Sequence, residues 1–146
     1  MASSTPLSGS SSAAHDLALF LVRLGCGLPF LYHGSAILFG VFSGPGPVKF
    51  AAFLHYSAIV GYLVGLAQFA GGIAILTGAL IRVGTLCTSL VMLGAIFIVH
   101  ISHGYSIANN GMEFALTELL LSLSLLFTGA GKYSLGRILP GSLQKL

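Results

Sequence analysis

Apolar residues are concentrated in four long blocks that contain almost no charged side chains. A helix of about 20 apolar residues is long enough to cross the ~30 Å core of a bilayer. Backbone polar groups in lipid must hydrogen-bond within their own segment, so such blocks form helices. The pattern predicts an all-α protein, a four-helix transmembrane bundle, with helices over residues 17–39, 57–81, 83–103 and 114–130.

The segments outside these blocks are polar or rich in glycine and proline. Residues 1–15 are rich in Ser, Ala and Gly, which predicts a disordered N-terminal tail. The sequence GVFSGPGP ends the first block, and residues 48–56 after it are expected to form an interfacial helix. Residues 140–146 are a short polar C-terminal tail. We therefore expect one membrane domain, residues 16–139, between two tails.

Charged residues are rare, and they are distributed unevenly between the two ends of the predicted bundle. Hydrophobic residues make up 55% of the chain and charged residues 6%, whereas a soluble domain carries about 25% charged residues. The net charge of +3 is too sparse for nucleic-acid binding. If the termini share a side, that side holds Arg82, Lys132, Arg137 and Lys145, against Lys49 opposite. Because loops rich in Lys and Arg stay in the cytoplasm, both termini are predicted to be cytoplasmic.

Small residues recur along one stripe of the second block. Gly61, Gly65 and Gly72 share this stripe with Gln68. Small residues at this spacing let helix backbones approach closely, which matters in lipid because the hydrophobic effect does not drive helices together there. The three glycines are therefore predicted to pack against another helix, where Gln68 needs hydrogen-bond partners.

Polar residues within the blocks are concentrated in the half of the bundle opposite the termini. At about 1.5 Å per residue, His33, His100 and Glu118 lie roughly 5 to 9 Å below that face, and Gln68 lies near the middle. Tyr32 lies beside His33. Ionisable groups in a membrane are costly and usually face the bundle interior. We predict that His33, Gln68 and Glu118 share a polar pocket, with Tyr32 and His100 as further candidate ligand-binding residues.

Arg23 and the two cysteines lie elsewhere in the predicted bundle. Arg23, in the half near the termini, is expected to reach lipid phosphate or Asp16. Cys26 and Cys87 do not form a CxxC pair, so dithiol exchange is disfavoured. Both cysteines are interpreted as small core residues.

Haem and metal sites can also be drawn from the histidines. His33 and His100 lie on different helices at similar depth. A haem held by two histidines usually needs more glycines near both ligands to make room for it, so haem is disfavoured. His100 and His103 share a helix face near Glu113, yet a hydrated helix end explains them better than a metal site. A quinone or another small amphipathic ligand fits the polar residues best, and the cofactor stays open.

Four sequence motifs in order resemble those of one membrane protein family. Residues 23–25 (RLG) and 30–34 (FLYHG) resemble the helix-1 signature of DoxX-type proteins. Residues 68–82 follow the family's second-helix pattern, with Gln68 in place of a glutamate. GMEFAL and GAGKYSL, from 111 onward, are similar to its last motifs. The resemblance covers nearly the whole membrane domain.

The resemblance implies a function that the residues alone do not. DoxX-type proteins resemble the small membrane subunit of thiosulfate:quinone oxidoreductases. The resemblance therefore implies a multi-pass protein of the bacterial inner membrane that works in or beside a quinone-linked oxidoreductase complex. Its implied partners are lipids, other membrane subunits and quinone. The chain has no flavin, nucleotide or iron–sulfur motif and thus no stand-alone catalytic motif. A non-catalytic assembly subunit and a small-molecule carrier remain alternatives.

Overall fold

Helices dominate the part of the chain that the structure, a computed structural model, describes: residues 8–144, with side chains from 12 to 143. Two short 3₁₀ turns, Ile107–Asn109 and Leu135–Ile138, lie in the connections between helices. Residues 8–144 contain no β-strand. The helix that starts at Ile81 continues beyond Gly94 as a π-helical turn, Ala95–His100, and a 3₁₀ turn, Ile101–His103. The α-helices are α1 (Ser8–Phe39), α2 (Gly46–Phe53), α3 (Ala58–Thr77), α4 (Ile81–Gly94), α5 (Glu113–Thr128) and α6 (Gly141–Gln144).

The predicted helical membrane fold is confirmed. The segments Ser12–Phe39, Ala58–Thr77 and Ile81–His103 are long and apolar enough to cross a membrane. Helix α5 packs along α4 and α1. With 16 residues, α5 is about 24 Å long at ~1.5 Å per residue. That length falls short of a full hydrocarbon core, so the membrane crossing of α5 stays a prediction.

Helix α1 begins at Ser8, inside the segment 1–15 that the sequence predicts to be disordered. Helix propagation is cooperative, so the helix of the apolar block extends backward through Ala13 and Ala14, which are strong helix formers. Residues 1–7 of the predicted tail lie outside the described residues. In the predicted C-terminal tail, Gly141–Gln144 is helical.

The bundle has a terminal end, where the described chain starts and finishes, and a loop end, which carries α2 and the 100–113 connection. Arg82, Lys132 and Arg137 belong to the terminal end, and Lys49 on α2 belongs to the loop end. Lys145 lies outside the described residues. This distribution is the one on which the cytoplasmic orientation of both termini rests, and that orientation stays a prediction.

Glycines on α3 allow it to contact α1 and α2 backbone to backbone. A Cβ atom added at Gly72 would lie 2.7 Å from a backbone nitrogen of α1, and one added at Gly65 would lie 3.1 Å from α1. A Cβ at Gly61 would collide with the carbonyl oxygen of Pro47 on α2. The stripe predicted for packing is thus buried in these contacts, and larger side chains there would force the helices apart.

The guanidinium of Arg23 joins three parts of the terminal end. Its Nε donates to the carbonyl oxygen of Ile75 at 2.8 Å, and one terminal nitrogen donates to the neighbouring carbonyl of Leu76. The other terminal nitrogen donates to the carbonyls of Ala130, at 3.1 Å, and Tyr133. The side chain is only 1% exposed. Arg23 therefore fixes α1 to the last turn of α3 and to the segment that follows α5.

The expectation that Arg23 reaches lipid phosphate or Asp16 is wrong. The Asp16 carboxylate instead accepts the backbone N–H of Lys132 at 2.9 Å. The last carbonyls of a helix have no intrahelical partner and carry the negative end of its dipole. The carbonyls of Ile75 and Leu76, at the end of α3, therefore bind the Arg23 guanidinium without an acidic side chain. A sequence pattern cannot reveal such a backbone partner.

Candidate functional site

A cavity of about 460 Å³ lies between the helices at the loop end of the bundle. Its volume is within the range of about 300 to 1,000 Å³ that small-molecule sites occupy. Most of its lining is apolar and includes Phe30, Phe50, Met92 and Phe114. The polar residues of its lining come from five different segments of the chain: His33, Gln68, His100, Asn110 and Glu118. We call this space the polar cavity.

Glu118 is the most unusual residue of the polar cavity. Helix α5 places its carboxyl in the lining while leaving the residue only 4% exposed. Its Oε2 atom has no hydrogen-bond partner among the described residues. Buried polar groups are nearly always hydrogen-bonded, and an unmade bond costs about 1 to 3 kcal/mol. The Glu118 carboxyl, whose side-chain partner is the thiol of Cys26, therefore keeps an unused oxygen in the core at the edge of the cavity.

A close crossing of α1 and α3 places Gln68 in the same lining. A Cβ added at Gly34 would lie 2.8 Å from the carbonyl carbon of Gln68 and would collide with the amide nitrogen of Phe69. The two backbones can approach this closely only because residue 34 has no side chain. Gln68 is 5% exposed and lines the cavity next to His33, the residue that precedes Gly34.

His33 forms one edge of the polar cavity, whereas Tyr32 does not line it. The imidazole of His33 is exposed, and its ring centroid lies 5.9 Å from that of Phe114. Tyr32 stacks on Phe42, with ring centroids 4.9 Å apart. Tyr32 also contacts His33 edge to face, with ring centroids 5.3 Å apart. The structure therefore places Tyr32 beside His33 but outside the cavity lining, where it packs on the connection that follows α1.

A π-helical turn brings His100 to the cavity. The turn covers Ala95–His100, and the Nδ1 of His100 lies 2.8 Å from the backbone carbonyl oxygen of Asn110. A carbonyl oxygen can only accept, so Nδ1 carries the proton in this contact and Nε2 of a neutral ring is an acceptor. Turns of π-helix are rare and frequent at functional sites. The turn and the Asn110 contact together fix the orientation of this ring.

Sequence reasoning did not assign two parts of the lining. Asn110, in the left-handed conformation with φ +61°, lines the cavity from the 100–113 connection. Phe50, Phe53 and Leu54 line it from α2 and the residue after it. In the sequence, these two parts of the lining are marked only by an Asn-Asn-Gly turn and by a short apolar segment predicted to be an interfacial helix. Neither indicates which surface of the bundle such a segment covers.

A chain of small polar side chains crosses the core toward the terminal end. The hydroxyls of Ser122 and Thr88 lie 3.1 Å apart, and the sulfur of Cys26 lies 3.5 Å from the Ser122 hydroxyl. Thr88 in turn donates to the carbonyl oxygen of Thr85 at 3.1 Å. Cys26 is fully buried and does not line the polar cavity. These contacts join α1, α4 and α5 through satisfied hydrogen bonds.

The residues considered for a metal site point to separate partners. The Nδ1 of His103 lies 2.9 Å from the carbonyl oxygen of Val99, and Glu113 accepts the backbone N–H of Ile107 at 3.0 Å. Across the described side chains, no three His, Cys, Asp or Glu residues are grouped closely enough to hold a metal ion. The geometry therefore gives no support to the metal alternative.

Comparison with known families identifies the chain. The family model of DoxX matches residues 18–101, which is more than half of the 146 residues. The chain belongs to the DoxX family. This confirms the family predicted from the four motifs. No curated protein and no solved structure matches this DoxX protein.

The helix-1 signature residues of this DoxX protein serve either helix packing or the polar cavity. Arg23 binds the carbonyls at the terminal end, and Gly34 allows the close crossing with α3. His33 lies at the edge of the polar cavity. The matched residues include Gln68 and His100 as well, whereas Glu118 on α5 lies beyond the match.

Proposed function

We propose that this DoxX-family protein binds a quinone head group in the polar cavity and works in or beside a membrane oxidoreductase complex. The observation that carries the proposal is the carboxyl of Glu118, which is buried, lines the cavity and has an oxygen without a partner among the described residues. A carboxyl in that position can donate or accept one hydrogen bond to a bound molecule.

The other polar residues suit a ring that carries two carbonyl oxygens. The side chains of Gln68 and His33 carry hydrogen-bond donors on α3 and α1, and most of the remaining lining is apolar. A flat, mostly apolar ring that carries a few polar groups matches this lining. Reduction of such a ring takes two electrons and two protons. The electrons would come from a partner subunit, because the chain has no motif for an electron carrier.

The test is direct binding of a quinone to the purified protein in detergent. Ubiquinone with a single isoprene unit is a suitable probe, because its ring is fully substituted and cannot add to thiols. Glu118→Leu and His33→Ala should each weaken its binding about tenfold, the effect of one lost hydrogen bond of roughly 1.4 kcal/mol.

His103→Ala is the matched control, since His103 lies at the same end of the bundle but outside the cavity lining. It should bind the probe as the wild type does, and all variants should keep the same helical content. Absence of binding to the wild type, or equal binding by all three variants, would contradict a quinone site.

The alternative proposals are a non-catalytic assembly subunit and a small-molecule carrier. Lipid extraction of the protein purified from its native membrane distinguishes them. Co-purifying membrane proteins without bound quinone would favour the assembly subunit, and a different bound molecule would favour the carrier.

A further inference from the structure

A second cavity lies directly beside the polar cavity. It has a volume of about 550 Å³ and runs between α3 and α4. Both cavities are lined by the same three residues, Leu54, Ala95 and Val99. Ala95 and Val99 belong to the π-helical turn. The two spaces therefore adjoin along this turn, and we call the second one the apolar groove.

The apolar groove differs from the polar cavity in its chemistry. Its walls are formed by side chains such as Leu63, Val64 and Leu90, and its only polar or sulfur-bearing residues are Tyr56 and Cys87. All of these residues lie within the described part of the chain. Apart from the Tyr56 hydroxyl, the groove offers no group that could fix a polar head, but it can accommodate a flexible apolar chain.

Small residues keep the groove open near its junction with the polar cavity. Gly94 lines the groove, and a Cβ added there would meet nothing nearer than the side chain of Ile98 at 4.0 Å. Ala67 lines it from α3, and Ala95 from the π-helical turn. A larger side chain at residue 94 would therefore extend into empty space without displacing the backbone.

We propose that the apolar groove holds the tail of the ligand whose head group lies in the polar cavity. The ligand class is then a quinone with a long isoprenoid tail, which passes Leu54, Ala95 and Val99 on its way out of the polar cavity. This inference rests on the proposed function. It adds where the tail lies and that tail length contributes to recognition.

The contribution of the tail is expected to be modest. Lipid and detergent chains are as apolar as the groove, so moving the tail out of them yields no hydrophobic gain. The preference for the groove comes from closer packing, which sums many small dispersion contacts. We expect the groove to strengthen the binding of a long-tailed quinone by about five- to tenfold over a short-tailed one.

The test compares two probes on two glycine variants. The probes are ubiquinone with one isoprene unit and ubiquinone with four, and the variants are Gly94→Leu and Gly25→Leu. Gly25 lies on α1, outside both cavities, and a Cβ there meets nothing within 4 Å. Gly94→Leu should weaken binding of the four-unit probe at least about fivefold and leave the one-unit probe unchanged. Gly25→Leu should change neither.

Cys87 supplies an independent readout in the unmodified protein. It is half-buried in the groove, whereas Cys26 is fully buried in the core. N-ethylmaleimide should modify Cys87 first, and saturation with the four-unit probe should slow that reaction at least about fivefold. The one-unit probe should not slow it.

The results separate this inference from the proposed function. Unchanged binding of the one-unit probe shows that Gly94→Leu is folded and that the polar cavity is intact. Equal affinity for both probes with no effect of Gly94→Leu, or equal weakening of both probes, would overturn the tail assignment. Failure of the wild type to bind either probe would overturn the quinone site itself, and this inference with it.

Discussion

Replacing Arg23 with methionine should destabilise the protein more than any other single change to a charged residue among residues 12–143. Methionine has a similar length and fills the same space, but it donates no hydrogen bond. The substitution leaves the carbonyls of Ile75, Leu76, Ala130 and Tyr133 without the guanidinium that they share. Two carbonyls in the last turn of α3 and two in the segment that follows α5 lose their donor at once.

The size of the effect follows from those four contacts. An acceptor left without a partner in a buried position costs about 1 kcal/mol at the lower end of measured values, so four set an upper value of roughly 4 kcal/mol. Only the Ile75 contact is fully buried, and water or detergent can partly replace the donor at the other three. Removal of the guanidinium also removes the cost of burying a cation, which offsets part of this loss. We therefore expect the free energy of unfolding to fall by about 2 to 4 kcal/mol.

The assay is unfolding by SDS in mixed micelles, followed by far-UV circular dichroism. Arg23→Lys keeps the positive charge but has one nitrogen with three donors, so it cannot reach all four carbonyls and should lie between wild type and Arg23→Met. Arg82→Met, at an exposed position in the first turn of α4, is the matched control and should stay near the wild type. A loss below about 0.5 kcal/mol for Arg23→Met would refute the anchoring role.

Two further predictions concern orientation and helix packing. In a cysteine-free background, Cys introduced at Ser43 in the loop end should react with an impermeant thiol reagent in intact cells, and Cys introduced at Ser142 should not; the reverse result would invert the topology. Gly72→Leu should lower the melting temperature of the solubilised protein because its Cβ would lie 2.7 Å from the α1 backbone, whereas Gly25→Leu has free space; equal melting temperatures would show that α1 and α3 do not cross as described.

Helix positions and packing surfaces were predictable because membrane helices leave periodic signals in a sequence. Each apolar block became a helix, although α1 begins at Ser8, well before the predicted residue 17, and the Gly61, Gly65 and Gly72 stripe lies in helix contacts. Depth could be estimated from the helical rise alone. This estimate placed His33, Gln68 and Glu118 at related depths, and all three line one cavity.

The features that sequence reasoning missed depend on three-dimensional neighbours. Tyr32 lies outside the cavity lining and stacks on Phe42, in the connection after α1, a contact that the helical rise alone does not reveal. The carbonyl partners of Arg23 come from the last turn of α3 and from the segment that follows α5, both of which the fold places beside it. The π-helical turn at Ala95–His100 has no signature in its apolar sequence, yet it forms the wall between the two cavities.

The two most deeply buried charged residues, Arg23 and Glu118, show why the loop end is the better candidate for function. Both are at least 96% buried in a chain that spans a membrane, where a polar group without partners is costly. Arg23 recovers that cost through four carbonyls of its own chain. Glu118 has an oxygen for which no described residue provides a donor, and it lines a cavity large enough for a small molecule. A group satisfied internally holds the fold together, whereas one left unsatisfied beside an open space is suited to a partner that comes from outside the chain.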